Sequence, residues 1–90
     1  MTPAQRHMEK IAAMPCICCR LLGMKQTSKT DVHHIRAERE ARNDFLTLPM
    51  CHHSCHQGPL GVHGTKHYLQ MLKMSEWTLL AFVIEELEQQ

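Results

Sequence analysis

The chain has 90 residues, of which 43% are hydrophobic and 21% charged, and its formal net charge is +1. A domain this small buries a limited fraction of its surface and often needs a disulfide or a metal ion for stability. No apolar run is long enough to cross a bilayer and no signal-peptide core is visible, so we expect a cytoplasmic protein. In a reducing compartment, closely spaced cysteines accompanied by histidines are more often metal ligands than disulfides, and of the five cysteines four can ligate while one, Cys18, can be spare.

The charged residues are unevenly distributed. Residues 1–73 contain all ten Lys and Arg against five acidic residues, whereas residues 74–90 contain four acidic residues. A basic body of this kind is compatible with binding to a polyanion such as nucleic acid, although many domains of other functions share the imbalance.

The N-terminal quarter predicts a helix followed by a metal-binding turn. Thr2 is a suitable N-cap and the proline after it is favoured at the first helical position, so we expect a helix over residues 3–13, ended by Pro15. The next segment, CICCRLLG, has two cysteines separated by two residues and then a glycine. This spacing is typical of a zinc knuckle, here over residues 16–23.

The middle of the chain predicts two strands and a short helix. DVHHI at residues 31–35 and FLTLPM at residues 45–50 are β-prone, and Pro49 favours an edge position for the second strand. A charged loop joins them, and we expect it to expose Arg36, Arg39 and Arg42. After the second strand the chain is expected to turn helical until QGPLG interrupts it.

The last third predicts two helices, over residues 64–73 and 75–88, the second capped by Ser75. One face of the second helix is apolar at spacings of three and four, and we expect this stripe to pack in the core, with dimerisation as the alternative. The stripe consists of Trp77, Leu80, Ala81, Ile84 and Leu87.

Two cysteine pairs predict a structural zinc site. The first pair has the spacing Cys-x2-Cys and the second, about thirty residues later, Cys-x3-Cys. Each lies on a turn short enough to chelate one ion tetrahedrally. A buried-thiol or redox role is the alternative, and Cys18 could replace a neighbour in the first pair. The predicted ligands are Cys16, Cys19, Cys51 and Cys55.

The histidines that remain predict a second site with open coordination. A catalytic ion needs fewer than four protein ligands, which leaves a position for water or substrate. Three neutral imidazoles could hold such an ion, and His34 would stay free to take a proton from water. On a regular strand His33 and His34 would point to opposite faces. The predicted ligands are His33, His56 and His63.

The chain contains, in this order, a cysteine pair, HHI, an apolar run ending in LPMC, a Cys-His step and GVHG. This order resembles the HNH endonuclease superfamily with its ββα-metal motif, and within it the phage RecA-dependent nuclease Ref and related small phage HNH proteins. The resemblance covers residues 14–90. Two features depart from it: the second cysteine pair is spaced by three residues where related proteins have two, and His52 and His53 lie between its members, so either histidine could replace a predicted ligand.

The resemblance implies an α+β fold, a small zinc-stabilised ββα-metal domain with flanking helices. No repeat or linker is visible, so we expect residues 1–90 to form one domain with its core at residues 31–64. The resemblance further implies that His34 is the general base and that Asn43 or Asp44 braces it. It also implies a catalytic divalent ion, Mg²⁺, Mn²⁺ or Zn²⁺, in addition to the structural Zn²⁺. The side chains expected to hold flanking phosphates of DNA are Arg36, Arg39, Lys66 and Lys73.

The sequence is compatible with three functions. The first is a metal-dependent DNA endonuclease of low sequence specificity, from a phage or prophage and acting in the cytoplasm of its bacterial host. The second is a zinc-binding DNA or protein adaptor that keeps the fold without the chemistry. The third is a nuclease that acts on DNA held in a RecA filament. The chain is expected to be a monomer or a homodimer with no membrane partner.

Overall fold

In the computed structural model, which describes residues 1–36 and 41–90, helices surround a two-stranded antiparallel sheet. This architecture confirms the predicted α+β class. The elements in chain order are helix α1 (Pro3–Ala12), helix α2 (Ile17–Leu22), strand β1 (Thr30–His34), strand β2 (Thr47–Cys51), a π-helix (His52–His56), helix α3 (His67–Leu72) and helix α4 (Glu76–Glu88).

Helix α1 begins with a complete capping box. The Thr2 hydroxyl accepts a hydrogen bond from the Gln5 amide at 3.1 Å, and the Gln5 side chain accepts one from the Thr2 amide at 2.8 Å. Pro3 occupies the first turn, where the amide it lacks would have had no helical partner. One face of α1 reaches the core through Ile11, which is fully buried.

The sheet fixes the register between the histidine strand and the cysteine strand. His33 pairs with Leu48, and His34 pairs with Thr47. The ladder continues beyond the strands, because the Ile35 amide donates to the Leu46 carbonyl at 2.8 Å. Every residue of β2 is buried, since α1, α2 and α4 all pack against it. Cys51, the last residue of β2, is thereby held inside the domain.

Each flanking helix contributes at least one apolar residue to the core, and these residues pack around the buried strand β2. Met14, after α1, and Leu79 and Val83 of α4 are among its members. A glutamine ties the cysteine turn to β1: Oε1 of Gln26 accepts from the Cys16 amide at 2.8 Å, and its Nε2 donates to the Thr30 hydroxyl at 2.9 Å. The first cysteine pair is thus anchored to the strand that carries the histidines.

Helix α4 does not bury the predicted stripe. Trp77 is 48% exposed and Ile84 50% exposed, whereas Leu79 and Val83 are fully buried. The prediction was wrong for most of the stripe, because residues 77–84 are apolar on almost every side and their periodicity does not single out one face. None of the helices in the described ranges is long and apolar enough to span a membrane.

Candidate metal centres and active site

Four buried cysteines converge between α2, the end of β2 and the π-helix. The Sγ of Cys19 lies 3.6 Å from that of Cys51 and 3.7 Å from that of Cys55. Cys16 caps α2, where its Sγ accepts a hydrogen bond from the Cys19 amide at 3.3 Å. All four Sγ atoms lie within 4.8 Å of one another, so the structure brings together the four predicted thiolate ligands.

Burial and contacts between the thiols shift the pKa values of several of these cysteines in opposite directions. A hydrogen bond from Cys55 lowers the pKa of Cys16 to about 5. Burial raises the pKa of Cys19 to about 12, and hydrogen bonding to Cys16 raises the pKa of Cys55. Four thiolates therefore cannot form here together unless a cation compensates their charge. The donor set and its burial fit a structural metal with tetrahedral thiolate ligands.

The π-helix accommodates the unusual spacing of the second cysteine pair. It runs from His52 to His56 and is closed by a hydrogen bond from the Gln57 amide to the His52 carbonyl at 2.9 Å. Its wider turn contains one residue more than an α-turn, and π-turns are often found at functional sites. Cys55 consequently still reaches the other thiols. Cys18 is buried beside Cys55 but is not one of the four converging thiols.

Three histidines form a second cluster next to the thiols. Nε2 of His56 lies 3.1 Å from Nε2 of His63, and the His33 ring centroid lies 5.0 Å and 5.1 Å from theirs. One ligand nitrogen from each ring lies within 4.8 Å of the others. Burial, followed by the nearby His33 and His56, lowers the pKa of His63, so this imidazole is neutral at pH 7 and able to bind a metal ion.

A tight turn brings His63 to the other two histidines. The His63 amide donates to the His56 carbonyl at 3.2 Å, and the Val62 amide donates to the Cys55 carbonyl at 2.9 Å. A Cβ atom on Gly61 would lie 2.5 Å from the Cys55 carbonyl oxygen, a distance that side chains do not tolerate. Only glycine at this position allows the turn to approach the π-helix so closely.

Asp31, which the sequence motifs did not single out, contacts two of the histidines. Its Oδ2 accepts hydrogen bonds from Nδ1 of His52 at 2.5 Å and from Nδ1 of His56 at 2.9 Å. Burial acts to raise the pKa of Asp31, but the hydrogen bonds from the two histidines outweigh it and lower the pKa. The proton on Nδ1 leaves Nε2 of His56 free to face His63. Asp31 lies two residues before His33, on the same face of β1. The alternation of side chains along a strand could therefore have indicated from the sequence that Asp31 lies near the histidine cluster.

The Asp31, His52 and His56 side chains also form a group of three possible ligands. His56 belongs to both groups, and a neutral imidazole has one free lone pair. Since Nδ1 of His56 is hydrogen-bonded to the carboxylate, its Nε2 can ligate an ion in the other group. This arrangement is the carboxylate–histidine pairing that commonly supports metal-binding histidines. His52 therefore contacts the Asp31 carboxylate and is not one of the three clustered histidines, and His53 is exposed.

Glu76 is a second acidic residue at the histidine cluster that the sequence did not indicate. Nε2 of His33 lies 2.6 Å from Oε1 of this residue, which is the first of α4. The hydrogen bond from His33 lowers the pKa of Glu76 and keeps it a carboxylate. Glu76 is 43 positions from His33, so nothing in the local sequence relates them. The fold of α4 onto the sheet creates this pair.

His34 has an acidic partner of its own. Nε2 of His34 lies 2.8 Å from Oδ1 of Asp44. The hydrogen bond from His34 lowers the pKa of Asp44, which stays ionised. Asn43, the other predicted brace, instead uses its side-chain oxygen to accept from the Phe45 amide at 2.9 Å. Of the two candidates, the structure places Asp44 on the imidazole and Asn43 in the adjoining turn.

Both histidines of the HHI motif line one cavity of about 170 Å³. The expectation for a regular strand was that they would point apart, whereas here His33 meets the histidine cluster and His34 lies at the cavity wall. The cavity is therefore bounded by a possible ion site, a possible base and two basic side chains. It is lined by His33, His34, Arg36, Val62, His63, Lys66 and Glu76.

The four basic residues predicted to contact phosphates occupy different positions. Arg36 and Lys66 line the cavity itself. Lys73 lines a neighbouring groove, which also includes Lys66. Arg39 lies outside the described residues. Two of the three described residues are therefore placed where a phosphate could approach the histidine cluster.

A cluster of three imidazoles fits a divalent ion with open coordination positions. Imidazole nitrogens are good ligands for Zn²⁺ and for other divalent transition metals. His33 is buried and His63 is exposed, so the cluster is closed on the protein side and open toward the cavity. Such an arrangement can hold an ion, water and a phosphate oxygen together.

Comparison with known proteins gave one family. The family model described as "Recombination enhancement, RecA-dependent nuclease" matches residues 2–79, which include both clusters and Glu76. No curated protein and no solved structure matches the chain.

Proposed function

Because the chain belongs to the family of recombination-enhancement, RecA-dependent nucleases, we propose that it is a metal-dependent DNA endonuclease with an HNH-type active site. One observation carries this proposal: His34, held by Asp44, lines the same cavity as His33 and His63 of the histidine cluster. A base and an ion site within one cavity are what hydrolysis of a phosphodiester requires.

His34 acts as the general base. Its Nε2–H donates to Asp44, so the lone pair on Nδ1 is available to accept a proton from water. The Asp44 carboxylate fixes the ring orientation and favours the imidazolium that forms when the proton is transferred. The deprotonated water then attacks the phosphorus in line with the leaving 3′-oxygen.

The histidine cluster holds the catalytic ion. A divalent cation bound by His33, His56 and His63 would supply positive charge to the phosphate oxygens and the leaving group. The side chains of the protein orient this site, since Asp31 sets the tautomer of His56 and Glu76 fixes the ring of His33. Metal analysis of the purified protein distinguishes Mg²⁺, Mn²⁺ and Zn²⁺ as the bound ion.

The four-cysteine cluster holds a structural Zn²⁺. Its ligands are all buried, which leaves no coordination position for a substrate. Cys55 and His56 are consecutive in the π-helix and belong to different clusters. The structural ion thus stabilises the segment that presents a catalytic ligand.

Basic residues around the cavity bind the DNA backbone. Arg36 and Lys66 line the cavity, and Lys73 extends the positive surface into the adjacent groove. Contacts of this kind add affinity that falls with salt and carry no sequence information. Low sequence specificity follows, and targeting would come from a RecA filament on the DNA, as the family description suggests.

The His34→Ala variant tests the proposal. We expect it to lose DNA cleavage by a factor of about 100 or more, since general-base catalysis contributes about 10²–10⁴-fold. Metal content and unfolding midpoint should remain those of the wild type, because His34 is in neither metal cluster. His67→Ala, which removes an exposed histidine outside both clusters, serves as the matched control.

Cleavage is measured on naked DNA and on DNA carrying a RecA filament. Activity of the wild type only with the filament would establish a conditional nuclease. Unchanged cleavage by the His34→Ala protein would contradict the assignment of the base. Absence of cleavage in both settings, with one zinc in the thiolate site and no second ion, would favour the adaptor instead.

A further inference from the structure

The groove next to the active-site cavity contains the single tryptophan of the chain. Trp77 lies in the first turn of α4, and 48% of its surface is exposed. The groove has a volume of about 470 Å³, and Gln70 and two lysines line it together with the indole. A large aromatic ring left exposed in a largely apolar groove that is edged by lysines is suited to contact a ligand.

The groove is continuous with the proposed active site. Lys66 and Glu76 line both the groove and the cavity that contains His33 and His34. A strand whose phosphate enters the cavity therefore has this groove as a path for its neighbouring nucleotide. The groove lies beside the position of the reacting phosphate because Lys66 and Glu76 line both the groove and the cavity.

The charge of the groove suits a phosphate backbone. Lys66 and Lys73 lie immediately before and after α3, so they bound the groove at both ends of one helix. Both have left-handed backbone conformations, with φ of 59° and 55°, which non-glycine residues seldom adopt. Glu76, a carboxylate hydrogen-bonded to His33, lines the same groove, so the two lysines leave the lining with a net charge of +1.

We infer that this groove binds an unpaired nucleotide of the DNA strand, with its base stacked on Trp77 and its flanking phosphates on Lys66 and Lys73. The inference rests on the proposed function, because the strand enters through the active-site cavity. An indole stacks on any base, so the contact adds affinity without sequence preference. Bases in a duplex are already stacked on each other, and hence the groove selects unpaired over paired DNA next to the cleaved bond.

The single tryptophan allows a direct test with the full-length, zinc-loaded protein. The His34→Ala background prevents cleavage during titration with single-stranded oligo(dT), the matching duplex, and an oligonucleotide of abasic sites. Indole fluorescence reports stacking, and anisotropy of a labelled oligonucleotide reports affinity. Trp77→Ala and Trp77→Phe are compared with Phe82→Ala, which removes an exposed aromatic ring of α4 outside the groove.

We expect oligo(dT) to quench the fluorescence, and the duplex and abasic strand to do so far less. Affinity for oligo(dT) should fall about tenfold in Trp77→Ala, stay near the parent value in Trp77→Phe, and remain unchanged in Phe82→Ala. Equal affinity of the Trp77→Ala protein, or equal quenching by the abasic strand, would overturn the inference. So would a fluorescence change that depends on protein concentration without DNA, because it would assign Trp77 to self-association.

The readout is independent of catalysis. Cleavage by the wild type without stacking in the titration would overturn the groove assignment and leave the proposed nuclease intact. Stacking without cleavage under any condition would overturn the nuclease and retain a nucleotide-binding groove.

Discussion

Asp31 shows how one carboxylate can organise several histidines. Its two hydrogen bonds end on the same oxygen, Oδ2, and they come from His52 and His56. Asp44 has the corresponding place beside His34, and Glu76 beside His33. Four histidines thus have an acidic partner that fixes the ring, which is the arrangement expected where the position of a proton matters.

Replacing Asp31 should specifically weaken binding of the proposed catalytic ion to the histidine cluster. We expect Asp31→Ala to reduce the affinity of the histidine cluster for Co²⁺ about 10- to 100-fold, because His56 loses the acceptor that fixes its tautomer. The Asp31→Asn protein should lose less Co²⁺ affinity, since an amide oxygen at the Oδ2 position can still accept both hydrogen bonds. The measurement is a Co²⁺ titration of zinc-loaded protein followed by visible absorption.

Asp44→Ala is the control, because Asp44 partners His34 rather than a predicted ligand. It should lower cleavage and leave Co²⁺ affinity unchanged. Equal Co²⁺ affinity of the Asp31→Ala and wild-type proteins would show that Asp31 does not support the ion.

The π-helix is the element that joins the two metal clusters. Within five residues it supplies Cys55 to the thiols and His56 to the imidazoles. The turn that follows it packs against its carbonyl groups and returns His63 to His56. Close approach of these two segments depends on Gly61, as the position of the Cys55 carbonyl shows.

Gly61→Ala should therefore damage both stability and the ion site. The added methyl group would meet the Cys55 carbonyl at 2.5 Å, so the turn must move and carry His63 away from the cluster. We expect a loss of about 1–3 kcal/mol in the free energy of unfolding, typical of overpacking, together with weaker Co²⁺ binding. Urea unfolding and the Co²⁺ titration measure the two effects.

Gly23→Asn provides the comparison for this element. Gly23 ends α2 with a φ of 70°, and a Cβ atom there would meet nothing within 4 Å. Because asparagine tolerates the left-handed conformation, the substitution should change stability little. A Gly61→Ala protein as stable as wild type, with unchanged Co²⁺ affinity, would contradict the role given to the turn.

The domain as a whole is expected to depend on a metal ion bound by the four-cysteine cluster. Its ligands come from the start of α2, the end of β2 and the π-helix, which are segments distant in sequence and buried together. A chain of 90 residues has a small apolar core, so a bound ion contributes a large share of its stability. The active site is expected to depend on it too, because His56 follows Cys55 directly.

Removal of one thiolate should unfold the protein. Zinc contributes about 10–16 kcal/mol in small zinc domains, which is comparable to the whole stability of a typical domain. We expect Cys55→Ala to lose the structural zinc and the cooperative thermal transition. Cys18→Ala, at a buried cysteine outside the cluster, should keep one zinc at that site and fold cooperatively with a modestly lower midpoint.

Zinc stoichiometry and calorimetry distinguish the two variants. A Cys55→Ala protein that unfolds cooperatively without zinc would show that the cysteines act as ordinary core residues. Loss of zinc in the Cys18→Ala protein would instead place Cys18 among the ligands.

The sequence by itself determined which residue types could bind metal and in which order the segments occur. The capped first helix and the grouping of the thiols follow from local spacing and turn residues, which act over a few positions, whereas the α+β class follows from the resemblance. The family assignment agrees with the resemblance carried by the HHI, LPMC and GVHG motifs. The HNH assignment and the roles of individual histidines remain proposals.

Only the tertiary structure decided which residues support the site. The choice of Asp44 over Asn43, the contact of Asp31 with His56, and the pairing of Glu76 with His33 depend on how β1, the π-helix and α4 pack together. The exposure of Trp77 was decided in the same way. Apolar periodicity cannot fix the rotation of a helix that is apolar on most sides, because its orientation follows from the surface it packs against.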